Sequence, residues 1–136
     1  MLALVLAVLL SSSKSVVPPD TWRCANNLEV WCTVDSCAAK DEDEATPFDV
    51  WLRADGKFAI CAYSGCWEGE GAVSDTAGRR LWVADDVAFT SGGGGFTADV
   101  SFLMIEREGV GFVRVGGIAT PMLCQREGPL ATGLDP

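Results

Sequence analysis

The stretch from Phe48 to Val73, FDVWLRADGKFAICAYSGCWEGEGAV, admits few folds, because its apolar residues come into register only as two consecutive hairpins. Take Ala54-Asp55-Gly56 as a three-residue loop with Gly56 at the positive-φ bulge position. Leu52 then opposes Phe58, Val50 opposes Ile60 and Phe48 opposes Ala62, so all these apolar side chains leave on one face. A two-residue Asp55-Gly56 loop sets Arg53 against Phe58 and mixes the faces, since a slip of one residue moves a whole side-chain set from core to solvent. The second hairpin is marked by Cys61 and Cys66. As opposed residues they leave Ala62-Tyr63-Ser64-Gly65 as a four-residue loop, with Gly65 in the left-handed conformation that a Cβ disfavours, and they set Ile60 against Trp67. Opposed strand positions bring Cβ atoms within disulfide reach, so this pair would brace a rigid tip carrying Tyr63 and Ser64.

The flanking segments continue the same pattern. Leu28, Val30, Cys32 and Val34 alternate with Glu29, Trp31 and Thr33, which predicts a first half-buried strand with the apolar set inward. Further strands are expected from Arg79, resuming at Val87 after a bend at Asp85-Asp86, then over Phe96 to Arg107, Val110 to Gly116 and Ile118 to Cys124. No segment past residue 20 carries a sustained helical period. The fold class expected is all-β: a small antiparallel meander of about seven or eight strands closed into a disulfide-tied barrel, with a sandwich as runner-up, because closure removes exposed edges. Residues 28–124 make the single β domain, after a lead-in over 16–27 and before a mobile tail over 125–136.

Residues Met1 to Leu10, MLALVLAVLL, followed by small residues, fit the apolar core of a secretory signal ending near Ser15, and they fall well short of the roughly 20 residues of a bilayer span. The expected location is therefore periplasmic or secreted. Six cysteines behind such a segment imply disulfides, and the pairing chosen among fifteen is Cys61–Cys66, Cys32–Cys37 and Cys24–Cys124. The rival is a zinc site, since Cys-x4-Cys spacings occur in four-Cys centres. No metal and no cofactor is expected.

Charge and residue types narrow the function. A net charge of −9 disfavours nucleic acid and anionic membrane surfaces as partners and suits a cationic one. The absence of histidine removes Ser-His-Asp and Cys-His nucleophile pairs. Lys40 to Glu44 reads as a solvated acidic loop without the ligand spacing of an EF-hand, and Gly92 to Gly95 as a hairpin loop without the Lys-Ser/Thr of a phosphate cradle.

The candidate contact residues are Tyr63, Ser64, Glu68 and Glu70, with Trp51 as an outlying aromatic on the polar face of its strand. They point to a non-enzymatic domain that binds a protein or cell-envelope component. One alternative is a barrel carrying a small apolar ligand, unless Phe48, Ile60, Trp67, Phe102 and Phe112 fill its interior. The other is a glycoside hydrolase using Glu68 and Glu70 as its carboxylate pair. An exported acidic barrel with cysteine ties and a hydroxyl-bearing loop at Tyr63-Ser64 is similar in architecture to periplasmic inhibitors of lysozyme. That resemblance implies an inhibitor-like protein contact.

Overall fold

In the computed structural model, residues 20–90 and 95–127 are described. The strands are β1 (Thr21–Ala25), β2 (Glu29–Cys32), β3 (Cys37–Lys40), β4 (Asp49–Arg53), β5 (Lys57–Ala62), β6 (Gly65–Glu70), β7 (Ala72–Thr76), β8 (Arg79–Thr90), β9 (Thr97–Ile105), β10 (Val110–Val115) and β11 (Ile118–Glu127). Eight of them, in the order β1-β4-β5-β6-β8-β9-β10-β11, form an antiparallel barrel that closes through β11 onto β1. The barrel is the expected one. β7 follows β6 after Gly71 and continues its pairing along β8, with Val73 against the core, whereas the β2–β3 hairpin lies off the ring and touches the ladder of β11 through Ile118 and Trp31.

The first hairpin has the three-residue loop that its apolar pattern requires, with Val50 opposite Ile60 and Leu52 opposite Phe58. Gly56 sits at φ +102°, donates to the Arg53 carbonyl and accepts from Gly71. A Cβ at Gly56 would lie 2.5 Å from the Gly71 carbonyl oxygen. Gly56→Ala is therefore expected to lower stability by about 2 kcal/mol, read as a shift in the urea midpoint at unchanged slope.

Alternate residues of each strand fill the barrel. Trp82, Phe102 and Met104 are wholly buried, as are Val50, Leu52 and Ile60 from the facing wall. The Trp82 ring meets Trp22 and Phe102 edge-on, at 5.9 and 6.2 Å between centroids. Its indole N–H donates to the Arg53 carbonyl at 2.8 Å, so the one polar atom of the largest core ring is satisfied. Below this stack Arg80 lies over Trp22, 4.6 Å from the ring centre, and pairs with Asp75 and Glu106 at 2.9 Å. The end of the barrel is thus closed by a cation held between aromatic faces and carboxylates.

Three disulfides each join directly opposed residues: Cys24–Cys124 across the closing seam of β1 and β11, Cys32–Cys37 within the β2–β3 hairpin, and Cys61–Cys66 within β5–β6. Thiolate ligation by these cysteines is thereby removed, because no described cysteine is free.

Several expectations need correction. The ring begins at β1, inside the stretch assigned to the lead-in, because Trp22 and Cys24 point inward from it. β2 departs from the expected alternation at two positions: Glu29 is buried and Val34, beyond the end of β2, is fully exposed, whereas Val30 and Cys32 are half-buried and Trp31 is exposed as the pattern suggests. Phe112 faces solvent rather than the interior, since Gly111 and Val113 take the inward positions of β10. Ala62 pairs with Gly65, so the tip is the two-residue loop Tyr63-Ser64 and not four residues. Gly65 has φ +156°, and its lack of a side chain answers a neighbour instead: a Cβ would lie 2.3 Å from the Thr90 carbonyl oxygen. Gln125 to Glu127 belong to β11 rather than to a tail. The signal-like residues 1–15, Gly92 to Gly94 and residues 128–136 lie outside the described residues.

Candidate functional site

Pairing across four strands builds one row on the outer wall: Arg23 of β1 opposes Trp51 of β4, Trp51 opposes Ala59 of β5, and Ala59 opposes Glu68 of β6. The small side chain of Ala59 leaves a trough between the Trp51 ring and the Glu68 carboxylate. Gly69, whose absent side chain makes room on the inside for the Phe58 ring, completes the lining with its backbone. The result is an open groove of about 710 Å³. Trp51, Glu68 and Glu70 all line it, so three of the five candidate residues come together.

The charges of the groove are unevenly matched. Arg23 is bonded to Asp49 at 2.6 Å, and Lys57 stands opposite Glu70 in the ladder. Glu68 has no ion-pair partner among the described residues. Arg53, itself held by Asp55, lies 5.6 Å from the centre of the Trp51 ring. The groove therefore offers an aromatic face that already accepts a cation, and a carboxylate free to accept another. Glu68 and Glu70 are both exposed.

Tyr63 and Ser64 occupy the β5–β6 tip rather than the groove. Tyr63 is 84% exposed, and the Cys61–Cys66 disulfide behind it limits its backbone freedom. Trp67, on the other face of β6, belongs to the core, packed on Phe89 at 4.5 Å. The groove and the tip share one hairpin, so a ligand on the outer wall can reach both.

Two features of the wider molecule have only weak signatures in sequence. The first is Glu29, 1% exposed at the β2 end of the barrel. Burial would raise its pKa. The Thr46 backbone N–H and the Trp31 indole N–H donate to its two oxygens, with Lys40 opposite, and together they hold it below the ordinary carboxylate range. Asn26 continues this latch, donating to the carbonyls of Leu28 and Thr46 and accepting from the Phe48 N–H. A lone Glu between apolar residues was the available signal, and its parity concealed it.

The second is an apolar outer wall on β8 to β11. Strands that are apolar on both alternations, such as Val100 to Ile105, carry that information.

Comparison of the chain with known protein families, with curated proteins and with solved structures finds no match. Among the described residues no helix is long and apolar enough to cross a membrane. Cys61, Cys66 and Glu68 are the one group whose potential ligand atoms converge, within 4.8 Å among the described residues, but the two sulfurs are bonded to each other.

Proposed function

We propose that this chain is an exported, non-enzymatic β-barrel that binds a protein or cell-envelope component through its outer wall, in an inhibitor-like manner. The observation that carries this reading is the Trp51–Glu68 groove beside the braced Tyr63-Ser64 tip. Together they join a half-open aromatic face, an unpaired carboxylate and an exposed aromatic anchor on one hairpin system. A partner presenting Lys or Arg fits best: its cation sits over Trp51 and reaches Glu68, and the −9 chain steers it in. Three disulfides support an oxidising compartment.

The packed interior weighs against a ligand-carrying barrel, because Trp82, Phe102, Met104 and Ile60 occupy the space a ligand would need. A carboxylate hydrolase needs one acid held in an apolar site, and both Glu68 and Glu70 stand in solvent.

The test is quantitative capture from the extracytoplasmic fraction of an exporting host, with the mature chain as bait. Trp51→Ala and Glu68→Lys are each expected to cut recovery of the same partner by about tenfold or more, with unchanged circular dichroism. Equal recovery with both variants contradicts the groove as the site. Glycosidase turnover abolished by Glu68→Gln contradicts the non-enzymatic reading.

A further inference from the structure

The barrel end that Arg80 closes carries a pocket of about 660 Å³, which shares no lining residue with the Trp51 groove. Three parts of the chain build it: the β7–β8 turn at Ala77-Gly78, the Glu106–Glu108 turn with Gly109, and the β1–β11 seam at Trp22 and Arg126. Hydrogen bonds tie these parts together, so the pocket is preformed. The Glu106 N–H donates to the Gly78 carbonyl at 3.0 Å, and the Cys124 N–H donates to the Gly109 carbonyl at 2.7 Å. The floor is apolar and recessed, since Trp22, Met104 and Cys124 line it and none is more than 9% exposed. Only a slender apolar body reaches such a floor; a folded protein surface does not.

Charge selects the occupant. The lining holds Arg79, Arg107 and Arg126 against Glu106 and Glu108, in a chain with ten basic residues and nineteen acidic ones. The carboxylates at this end are already taken. Arg80, stacked on Trp22, holds Asp75 and Glu106, Arg126 holds Asp20, and Glu108 is joined to its sequence neighbour Arg107. Arg79 is left over: it is exposed and has no ion-pair partner among the described residues. It opposes Ile105 in the β8–β9 ladder, so a free guanidinium stands beside an apolar member of the lining. The Arg107–Glu108 pair is open to water, at 81% and 48% exposure, and a pair so exposed holds its members weakly, which leaves Arg107 free to turn to a better acceptor. A neutral or cationic guest gains nothing from these two side chains, whereas a carboxylate gains charge-assisted hydrogen bonds from both.

We propose that this barrel-end pocket binds a small organic acid, with its carboxylate between Arg79 and Arg107 and its apolar body against Ile105, Met104 and Trp22. The site lies outside the packed interior, so a filled barrel does not exclude it. It is also independent of the outer-wall contact around Trp51.

Titration of the nitrogen-15-labelled full chain with octanoate, followed through its amide resonances, tests this, with octanamide and octylamine as the neutral and cationic counterparts. Octanoate binds one to one with a dissociation constant of about 1 mM or below, and the shifts centre on Gly78, Ile105 and Gly109. Octanamide binds about tenfold more weakly, and octylamine more weakly still. Arg79→Gln and Arg107→Gln each weaken octanoate by about fivefold, while Trp51→Ala leaves its affinity unchanged. Both arginines are exposed and outside the core, and the same spectra report that the variants are folded. Absence of a saturable shift with octanoate overturns the proposal. So does equal binding of octanamide or octylamine, an affinity indifferent to both arginine substitutions, or shifts centred on the Trp51 groove.

Discussion

Replacing Cys24 and Cys124 together by alanine is expected to lower stability by about 5 kcal/mol, the largest effect of any change outside the packed rings. The bond closes a sequence separation of 100 residues, and in the chain-entropy treatment the unfolded chain gains most when the longest loop is released. It also spans the seam where β11 meets β1, so its loss weakens the pairing that makes the sheet a ring. The Cys61–Cys66 bond closes a separation of only 5, and the same treatment gives about 2 kcal/mol for its removal. Guanidinium titrations of the two double variants, with the wild type as reference, measure the contrast. Equal losses, or a larger loss for Cys61 and Cys66, contradict the view that the seam bond is the main covalent constraint on the barrel.

The second large effect concerns Glu29. Glu29→Ala leaves the Thr46 N–H and the Trp31 indole N–H without their shared acceptor and opens a void at the β2 end, for an expected cost of about 3 kcal/mol. Its pH signature separates charge from packing. The folded pKa lies below the ordinary glutamate value of 4.5. The carboxylate therefore contributes stability that is fully present above that value and is lost as pH falls through the lower folded pKa. Glu29→Gln keeps most of the shape and is expected to flatten this part of the acid limb while leaving a smaller, pH-independent loss. Thermal unfolding of wild type and Glu29→Gln at a series of pH values from neutral to strongly acid provides the check. Parallel acid limbs for the two proteins contradict the latch.

Much of the ring was legible because register is a strict constraint. The pairings Val50 with Ile60, Ile60 with Trp67 and Cys61 with Cys66 follow from a side-chain period of two and the position of one glycine, and the structure has all three. The bend at Asp85-Asp86 is likewise a bulge, with Asp86 at φ +52° and its N–H bound to Asp99. What escaped reading shares a physical cause. β2 leaves the ring after Asn26, so its apolar set Val30 and Cys32 is only half-buried, and the deepest position goes to Glu29, whose carboxylate is hydrogen-bonded there against the alternation that periodicity favours. β9 and β10 are apolar on both faces, and alternation alone cannot say which of Phe102 and Phe112 fills the barrel. The steric demand on β10 decides it, because a Cβ at Gly111 would lie 2.6 Å from the Phe102 ring. Of the candidate site, Glu68 and Glu70 were placed on one face by spacing. Their meeting with Trp51 needed the β4–β5–β6 register to hold across Ala59.

The central claim is that this barrel acts through the outer wall around Trp51 and the Tyr63 tip. A photo-crosslinking side chain introduced singly at positions 51, 63 and 85, in cells exporting the full chain, tests it most directly. The account predicts one adduct of common mass at positions 51 and 63 and none at Asp85, which is exposed on β8. Adducts at 85 matching those at 51, or no adduct at 51 and 63, would contradict it.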